Sequence, residues 1–295
     1  MVKPRWLSPE LQDKMTSKLR IKEIVGLALK EDLGGGDITS EALIPNKARG
    51  VASITAKENM VVAGLEVAKE VFSILDAGIH FETDKKDGEE VGKGDVIALV
   101  TGDARTLLTG ERTALNFLQR LSAVATLTRE FVKRVEGAKA VIVDTRKTTP
   151  GLRALEKYAV RVGGGRNHRQ GLHDMFLIKD NHIALVGGVK EAVEMARQAA
   201  SMPVKIEVEA ETLQQVREAL EAEADIIMLD NMTIDEMREA VTVIKGWAQV
   251  EASGGIDLER VMAVAETGVD FISVGGITHS AGSVDISMDI VLSAG

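Results

Sequence analysis

Cationic side chains gather in one stretch of an otherwise acidic chain. The 295 residues carry a formal net charge of -9, yet residues 144–183 contain eight Lys and Arg against four Asp and Glu. Three of the five histidines lie in the same stretch. Guanidinium groups bind carboxylate or phosphate in bidentate fashion, and ammonium groups act as point charges. The stretch therefore predicts a site for a small ligand with several negative charges.

Two short apolar runs indicate how these cations are positioned. Residues 141–143 and 176–178 predict strands, and residues 150–162 predict a helix that begins at a proline. Polar residues follow both strands directly, at the strand ends where parallel α/β folds bind ligands. The cations expected to converge there are Arg146, Lys147, Arg169 and Lys179.

Alternation of strands and helices continues toward the C-terminus. Further strands are predicted at 204–209, 225–230, 249–253 and 270–275, separated by helices. Together with the first two strands they predict a parallel sheet that forms an incomplete barrel, because a complete barrel needs eight strands. The residues at the six strand ends are Asp144, Lys179, Glu209, Asp230, Ser253 and Gly275.

The first third of the chain predicts a different, α+β arrangement. Its apolar patterns predict one or two helices over 9–31, strands near 51–57 and 61–63, and a helix over 65–75. Residues 87–96 predict two short strands joined by turns, and a carrier-domain hairpin is the weaker alternative because its symmetric partner half is missing. A long helix is predicted over 105–135, with a possible break near Ser122.

Composition narrows the classes of protein that the chain can represent. The absence of cysteine excludes disulfides, thiolate metal sites and a cysteine nucleophile. No apolar run approaches the length of a membrane span, and residues 1–14 lack the apolar core of a signal peptide. The acidic balance argues against nucleic-acid binding. A cytoplasmic enzyme is the expected class.

The motifs of the central stretch resemble those of the quinolinate phosphoribosyltransferase family. They are Asp-Thr-Arg-Lys-Thr-Thr-Pro-Gly at 144–151, three glycines at 163–165 with His168 and Arg169, and Ile-Lys-Asp-Asn-His at 178–182. Further matching pieces, in the same order, lie at 31–39, 111–116, 206–209, 229–231, 251–256 and 273–275. The resemblance spans nearly the whole chain.

The resemblance implies an architecture and an assembly. It implies an N-terminal α/β sandwich domain over 1–113, rejoined by 283–295, and an open-faced, seven-stranded barrel-like domain over 114–282. It also implies a homodimer or higher homo-oligomer with shared active sites, in which Arg112 reaches a neighbouring subunit's site. The fold class is therefore predicted as α/β.

The resemblance also implies the reaction and its residues. Quinolinate and phosphoribosyl pyrophosphate would give nicotinate mononucleotide, pyrophosphate and CO₂, in NAD biosynthesis. Lys147, Glu209 and Asp230 would be catalytic, the two carboxylates also holding Mg²⁺ indirectly through the substrate. The full substrate-binding set would be Arg112, Thr145, Arg146, Lys147, His168, Arg169, Lys179, Glu209, Asp230, Ser253, Gly254, Gly255, Val274, Gly275 and Gly276.

Three other interpretations remain open at this point. A paralogous phosphoribosyltransferase would keep the phosphate and ribose positions and use another acid. A non-catalytic barrel that binds sugar phosphates would need the glycine turns alone. The cations could also belong to a salt-bridged scaffold with Glu156, Asp174 and Asp180, since buried cations need counter-charges. Arg153, Lys157 and Arg161 are expected to be solvated or paired on their helix, and His173 and His182 to support neighbours by hydrogen bonding.

Overall fold

The computed structural model describes residues 9–200, 202 and 204–293, with side chains from residue 20 onward. Two compact units are present. Within the described residues, unit 1 contains 9–126, Pro150–Val162 and 282–293, and unit 2 lies within Leu127–Thr149 and Gly163–Ala281. Among the described residues, none of the helices combines the length and the apolar composition that a membrane span needs.

The helices and strands alternate along most of the chain. The helices are α1 Pro9–Leu33, α2 Ile38–Leu43, α3 Leu65–Leu75, α4 Ala104–Arg134, α5 Arg153–Val162, α6 Asp180–Val186, α7 Val189–Ala199, α8 Leu213–Glu221, α9 Ile234–Ile244, α10 Val261–Ala265 and α11 Gly276–His279. The strands are β1 Arg49–Ala56, β2 Met60–Val61, β3 His80–Glu82, β4 Glu90–Val91, β5 Val96–Asp103, β6 Val141–Val143, β7 Phe176–Ile178, β8 Ile206–Ala210, β9 Ile226–Asp230, β10 Gln249–Ser253, β11 Phe271–Ser273 and β12 Ile286–Leu292.

Unit 1 is built on an antiparallel sheet in the order β12-β1-β5-β3. Inward residues of β1 alternate with outward ones, and Ala52, Ile54 and Ala56 are fully buried. Such alternation is the period-2 pattern of a sheet with one face on a core. Strand β12, near the end of the described residues, pairs with β1 and forms one edge of this sheet.

Helix α4 runs without interruption through Ser122, so the predicted break there is wrong. The Ser122 hydroxyl is buried and accepts a hydrogen bond from the Ala63 backbone N–H at 3.0 Å. Its polar group is therefore satisfied by a neighbouring segment and does not compete with the helix backbone. The predicted domain limit at residue 113 also falls inside α4, and the compact unit extends to Thr126.

Helix α5 belongs to unit 1 and is held by polar side chains. Glu156 is fully buried and accepts hydrogen bonds from Arg120 Nη2 at 2.7 Å and Nε at 3.0 Å. Lys157 is also fully buried rather than solvated, and Arg161 lies 5.8 Å from the ring centre of Tyr158. Glu156 and Arg120 both belong to unit 1.

Unit 2 is a parallel sheet of six strands in the order β6-β11-β10-β9-β8-β7. Its strands are mostly apolar, and Val208, Ile227, Ala252 and Ile272 are fully buried, as expected for a parallel sheet covered by helices. Strands β6 and β7 stand at the two ends of this order and do not pair with each other. The predicted open, incomplete barrel is confirmed.

One residue extends the sheet beyond β6. Arg166 forms an isolated parallel bridge with Val143, and its N–H donates to the Ile142 carbonyl at 2.9 Å. The described residues of unit 2 thus form six strands and one bridging residue, whereas the resemblance implies seven strands for this domain. This bridge fixes the start of the segment that carries His168 and Arg169.

Candidate active site

The polar residues predicted at strand ends lie at one edge of the unit 2 sheet. In the register of the parallel ladder, Asp230 pairs with Ser253, and Glu209 pairs with Met228, two residues before Asp230. Lys179 directly follows β7. Because the carboxyl ends of parallel strands share one edge, the structure brings these four polar residues together as predicted from the alternation.

Lys179 and Glu209 form an ion pair between adjacent strand ends. Lys179 Nζ donates to Glu209 Oε1, and the Glu209 side chain is only 14% exposed. Burial raises the pKa of the Glu209 carboxyl, the hydrogen bond from Lys179 opposes that effect, and the nearby charge of Asp230 adds to it. A second cation or a metal ion beside Glu209 would favour the ionised form of its carboxyl.

Arg169 is a half-buried guanidinium without a carboxylate partner. Burial, followed by the positive charge of Arg146, lowers the pKa of Arg169. Its Nη1 donates to the Met175 carbonyl at 3.2 Å, while its Nε has no hydrogen-bond partner among the described residues. No carboxylate of those residues lies within ion-pair distance of it. The positive charge of Arg146 beside Arg169 favours a bound anion next to the Arg169 guanidinium.

Lys147 lies against the turn that follows β11. A Cβ atom added to Gly275 would stand 3.1 Å from Lys147 Cδ. The Lys147 backbone is fixed by two hydroxyls: its N–H donates to Thr145 Oγ1 at 3.0 Å, and Thr278 Oγ1 donates to its carbonyl at 2.7 Å. The side chain is exposed. The structure therefore places Thr145, Lys147 and Gly275 in one neighbourhood.

The turn after β10 requires glycine for a physical reason. Gly254 has φ +95°, and a Cβ there would stand 2.1 Å from Asn231 Oδ1. Gly255 has φ +58°, also in the left-handed region that glycine tolerates. The backbone of this turn therefore lies directly beside the loop that follows Asp230. Helix α10 begins at Val261, several residues after this turn.

His168 connects Arg169 to the interior of the barrel. Its Nε2 lies 2.9 Å from Glu207 Oε2 and 3.6 Å from Glu251 Oε2. Its Nδ1 accepts a hydrogen bond from the Arg169 backbone N–H at 2.8 Å. Its own backbone N–H donates to Asp144 Oδ1 at 2.9 Å. Asp144 is fully buried, so this loop is anchored at the end of β6.

Sequence reasoning missed Glu207 and Glu251. Both side chains are essentially unexposed, at 0% and 2%, and both lie inside strands, between buried apolar residues. Burying a carboxylate is costly unless it is paired. A glutamate inside a predicted strand is therefore the sequence signal that could have identified these two residues. The exposed His173 makes no such contact with the residues that the structure describes, whereas His182 Nδ1 accepts the Lys179 N–H at 2.9 Å and supports the start of α6.

Arg112 belongs to unit 1 and is exposed on α4. Its charge lowers the pKa of the adjacent Glu111 carboxyl, against a larger increase caused by burial of that carboxyl. Among the described residues Arg112 has no ion-pair partner. Its predicted role in a neighbouring subunit's site stays a prediction.

Comparisons with known proteins identify the family of this chain. The model of the quinolinate phosphoribosyl transferase N-terminal domain matches residues 37–122, and that of the C-terminal domain matches residues 124–289. The chain belongs to the quinolinate phosphoribosyl transferase family. The two family domains meet at residue 123, inside α4, which places their limit close to that of the compact units.

Individual relatives of the family cover almost the whole chain. A probable nicotinate-nucleotide pyrophosphorylase (carboxylating) of Bacillus subtilis is 50% identical over 275 residues, 93% of this chain and 95% of the relative. A mitochondrial quinolinate phosphoribosyltransferase (decarboxylating) of Nicotiana glauca is 42% identical, with 92% and 82% covered. The crystal structure of NadC from Streptococcus pyogenes superposes with a TM-score of 0.90 at 42% identity, covering 93% of this chain and 98% of that one.

The buried carboxyl of Glu251 predicts that the free energy of unfolding depends on pH. Burial, and then the charge of Glu207, raises the pKa of Glu251 from 4.5 to about 8. A carboxyl whose pKa is higher in the folded state stabilises the fold below pH 4.5, and that contribution is lost as the pH rises through 8. The shift corresponds to roughly 5 kcal/mol at most.

We therefore expect Glu251→Gln to change the pH dependence of the unfolding free energy. Glutamine cannot ionise, so the fall in stability between pH 5 and 9 should be smaller in the variant by roughly 3 to 5 kcal/mol. Urea unfolding at several pH values measures it. Asp257→Asn, at an exposed position, is the control. Parallel pH profiles for wild type and Glu251→Gln would contradict the expectation.

Proposed function

We propose that the chain transfers a phosphoribosyl group from phosphoribosyl pyrophosphate to quinolinate and releases pyrophosphate and CO₂. The observation that carries the proposal is the half-buried Arg169, which lies beside Arg146 and has no carboxylate partner among the described residues. Quinolinate carries two adjacent carboxylates. Such a dianion would neutralise two guanidinium groups and would accept bidentate hydrogen bonds from them.

We call Arg146 and Arg169 the anion clamp. Two further cations, Lys179 and Lys147, extend this clamp at the sheet edge. Lys179 stands at the end of β7, already paired with Glu209, and would contact the second carboxylate or the pyrophosphate. Lys147, above the Gly275 turn, would face the pyrophosphate. A point charge on a flexible stem suits a leaving group whose charge increases during the reaction.

The carboxylates and glycine turns suit the sugar phosphate. Glu209 and Asp230 would accept hydrogen bonds from the ribose hydroxyls. The 5′-phosphate would bind the backbone N–H groups of two turns, which lack side chains at the points of closest approach. The residues of these turns are Ser253, Gly254 and Gly255 after β10, and Val274, Gly275 and Gly276 after β11.

Magnesium fits the residues at this edge. Mg²⁺ is bound by carboxylate and phosphate oxygens, and Glu209 and Asp230 are carboxylates close enough for the charge of one to raise the pKa of the other. When bound with phosphoribosyl pyrophosphate, the ion would neutralise negative charge on the pyrophosphate. Glu209 and Asp230 would hold it indirectly, through the substrate.

The chemistry needs charge and position more than a protein nucleophile. The pyridine nitrogen attacks the anomeric carbon of the ribose as the bond to pyrophosphate breaks, through an oxocarbenium-like state. The pyridinium formed accepts the electron pair that the C2 carboxylate leaves behind when CO₂ departs. A proton then replaces CO₂ on C2, and Lys147 is the proposed donor.

The products decide this proposal directly. With Mg²⁺, phosphoribosyl pyrophosphate and quinolinate labelled in its C2 carboxylate, one CO₂ and one nicotinate mononucleotide should form for each pyrophosphate released. Mononucleotide formation without CO₂ would indicate a paralogous transferase. Ligand binding without any product would favour a non-catalytic sugar-phosphate barrel.

We further propose that the active unit is a homodimer in which Arg112 completes the partner's site. The support is that Arg112 is exposed in unit 1 without an ion pair in the described chain, and that the family pattern uses this position.

The family does not decide the location in the cell, since relatives include proteins named as mitochondrial. A cytoplasmic location stays a prediction.

Mixing two inactive variants tests the shared site. Chains with Arg112→Ala and chains with Lys179→Ala are combined and allowed to exchange subunits. Half of the random dimers are mixed, and each has one site with both residues intact, so activity should return to about a quarter of wild type. Mixing Arg169→Ala with Lys179→Ala is the control, because both residues lie in unit 2 and no site is repaired. Proven exchange without recovery would contradict sharing of Arg112.

A further inference from the structure

Asn231 directly follows Asp230 at the end of β9 and makes hydrogen bonds in two directions. Its amide Nδ2 donates to Asp230 Oδ2 at 3.0 Å. Its backbone N–H donates to the Ser253 carbonyl at 3.0 Å. The strand ladder itself ends at the pair of Asp230 and Ser253. Asn231 therefore continues the contact between β9 and β10 into the loops beyond the sheet.

The other end of the Asn231 amide lies against the glycine turn after β10. A carboxylate oxygen accepts hydrogen bonds, so the NH₂ end of the amide faces Asp230 and Oδ1 faces away from it. A Cβ atom added to Gly254 would stand 2.5 Å from Asn231 Cγ and 2.9 Å from the Asn231 backbone nitrogen. The amide fills the space that a side chain at 254 would need, so one side chain contacts both Asp230 and the turn.

The backbone of Asn231 does not by itself explain this side chain. Its φ is +54°, in the left-handed region that asparagine and glycine enter most readily. Glycine would meet the backbone requirement equally well. The amide is the part of the residue that glycine would lack, and it is the part that contacts Asp230 and Gly254.

Arg260 ties the same two loops together independently of the amide. Its Nη2 donates to the Met232 carbonyl at 2.9 Å, and its backbone N–H donates to Asp257 Oδ1 at 2.8 Å. The Asn231 N–H supplies a further link. Removal of the amide alone therefore leaves two contacts between the loops, and we expect the fold to be retained.

We propose that Asn231 is a positioning residue, whose amide fixes the direction of the Asp230 carboxyl relative to the Gly254 turn. A free aspartate side chain rotates about two bonds. Here one carboxyl oxygen is held by Asn231, and the other has no hydrogen-bond partner among the described residues. The ligand that would register this direction is a sugar phosphate, with hydroxyls on Asp230 and phosphate on the turn. Only that identification rests on the proposed function.

The variant Asn231→Gly separates the amide from the backbone. Glycine keeps the positive φ and removes the amide. We expect N231G to raise KM for phosphoribosyl pyrophosphate about tenfold, and KM for quinolinate by less than about twofold, because Asp230 and the turn serve the sugar phosphate. Wild-type KM values for both substrates would show that only the backbone matters. That result, or an equal rise in both KM values, would overturn the proposal.

Lys245→Gly is the matched control. Lys245 ends α9, is exposed and has φ +47°. Both variants place glycine at a positive φ in unit 2, so the backbone effects on stability should be alike, and thermal unfolding is recorded for both. Only N231G should change KM for phosphoribosyl pyrophosphate. A rise of the same size in K245G would count against a specific role of the amide.

Crystal structures of the unliganded wild type and N231G test the positioning without any substrate. We expect one orientation of the Asp230 carboxyl in the wild type, and a changed orientation or several conformers in N231G. The wild-type orientation in N231G would overturn the proposal. A wild-type enzyme without turnover would contradict the proposed function alone, because this structural comparison does not use the reaction.

Discussion

Replacing Arg169 by alanine is expected to lower kcat/KM for quinolinate by about 10³-fold. We expect an effect of similar size when Lys179 is replaced by alanine. A charge-assisted hydrogen bond contributes about 1.5 to 3 kcal/mol, and a bidentate guanidinium makes two. About 4 kcal/mol corresponds to roughly 10³-fold. Steady-state rates with varied quinolinate and varied phosphoribosyl pyrophosphate measure both effects.

The two variants should differ in which substrate they affect. Arg169 contacts no carboxylate among the described residues, so Arg169→Ala should raise KM for quinolinate alone. Lys179 is paired with Glu209, so Lys179→Ala leaves a buried carboxylate without its cation and should also raise KM for phosphoribosyl pyrophosphate.

Matched controls come from exposed helices of the same unit. Arg217, paired at 3.6 Å with Glu239, is the control for Arg169, and Lys190, paired at 4.0 Å with Glu194, is the control for Lys179. Surface pairs of this kind contribute about 1 kcal/mol or less. Similar kcat/KM values for all four alanine variants would contradict the assignment of Arg169 and Lys179 to the substrate site.

The fold was largely predictable because its pattern is regular. Apolar strands, each followed by an amphipathic helix, predicted all six strands of the unit 2 sheet, and helix α3 begins and ends at the predicted residues. The errors have physical causes. Ser122 did not break α4 because its hydroxyl is satisfied by Ala63, and residues 180–186 form a helix that lacks buried residues and so has weak periodicity.

The candidate site was predictable only where strand ends reveal it. Lys179, Glu209 and Asp230 follow from the alternation, because parallel strands end at one edge. Glu207 and Glu251 could not be ranked from the chain alone, since an isolated glutamate in a strand does not name its partner. Their meaning depends on His168, which is 39 residues from Glu207 in sequence and 2.9 Å away in space.

Selectivity between two pyridine acids tests the central claim most directly. Nicotinate has one carboxylate where quinolinate has two, so it leaves a cation of the clamp unpaired at a cost of several kcal/mol. Initial rates of mononucleotide formation are measured with each acid under identical Mg²⁺ and phosphoribosyl pyrophosphate concentrations. We expect kcat/KM for quinolinate to exceed that for nicotinate by at least about 10³-fold, with CO₂ released from quinolinate in equal amount to the mononucleotide. Equal kcat/KM values for the two acids would contradict the proposed clamp and the proposed reaction together.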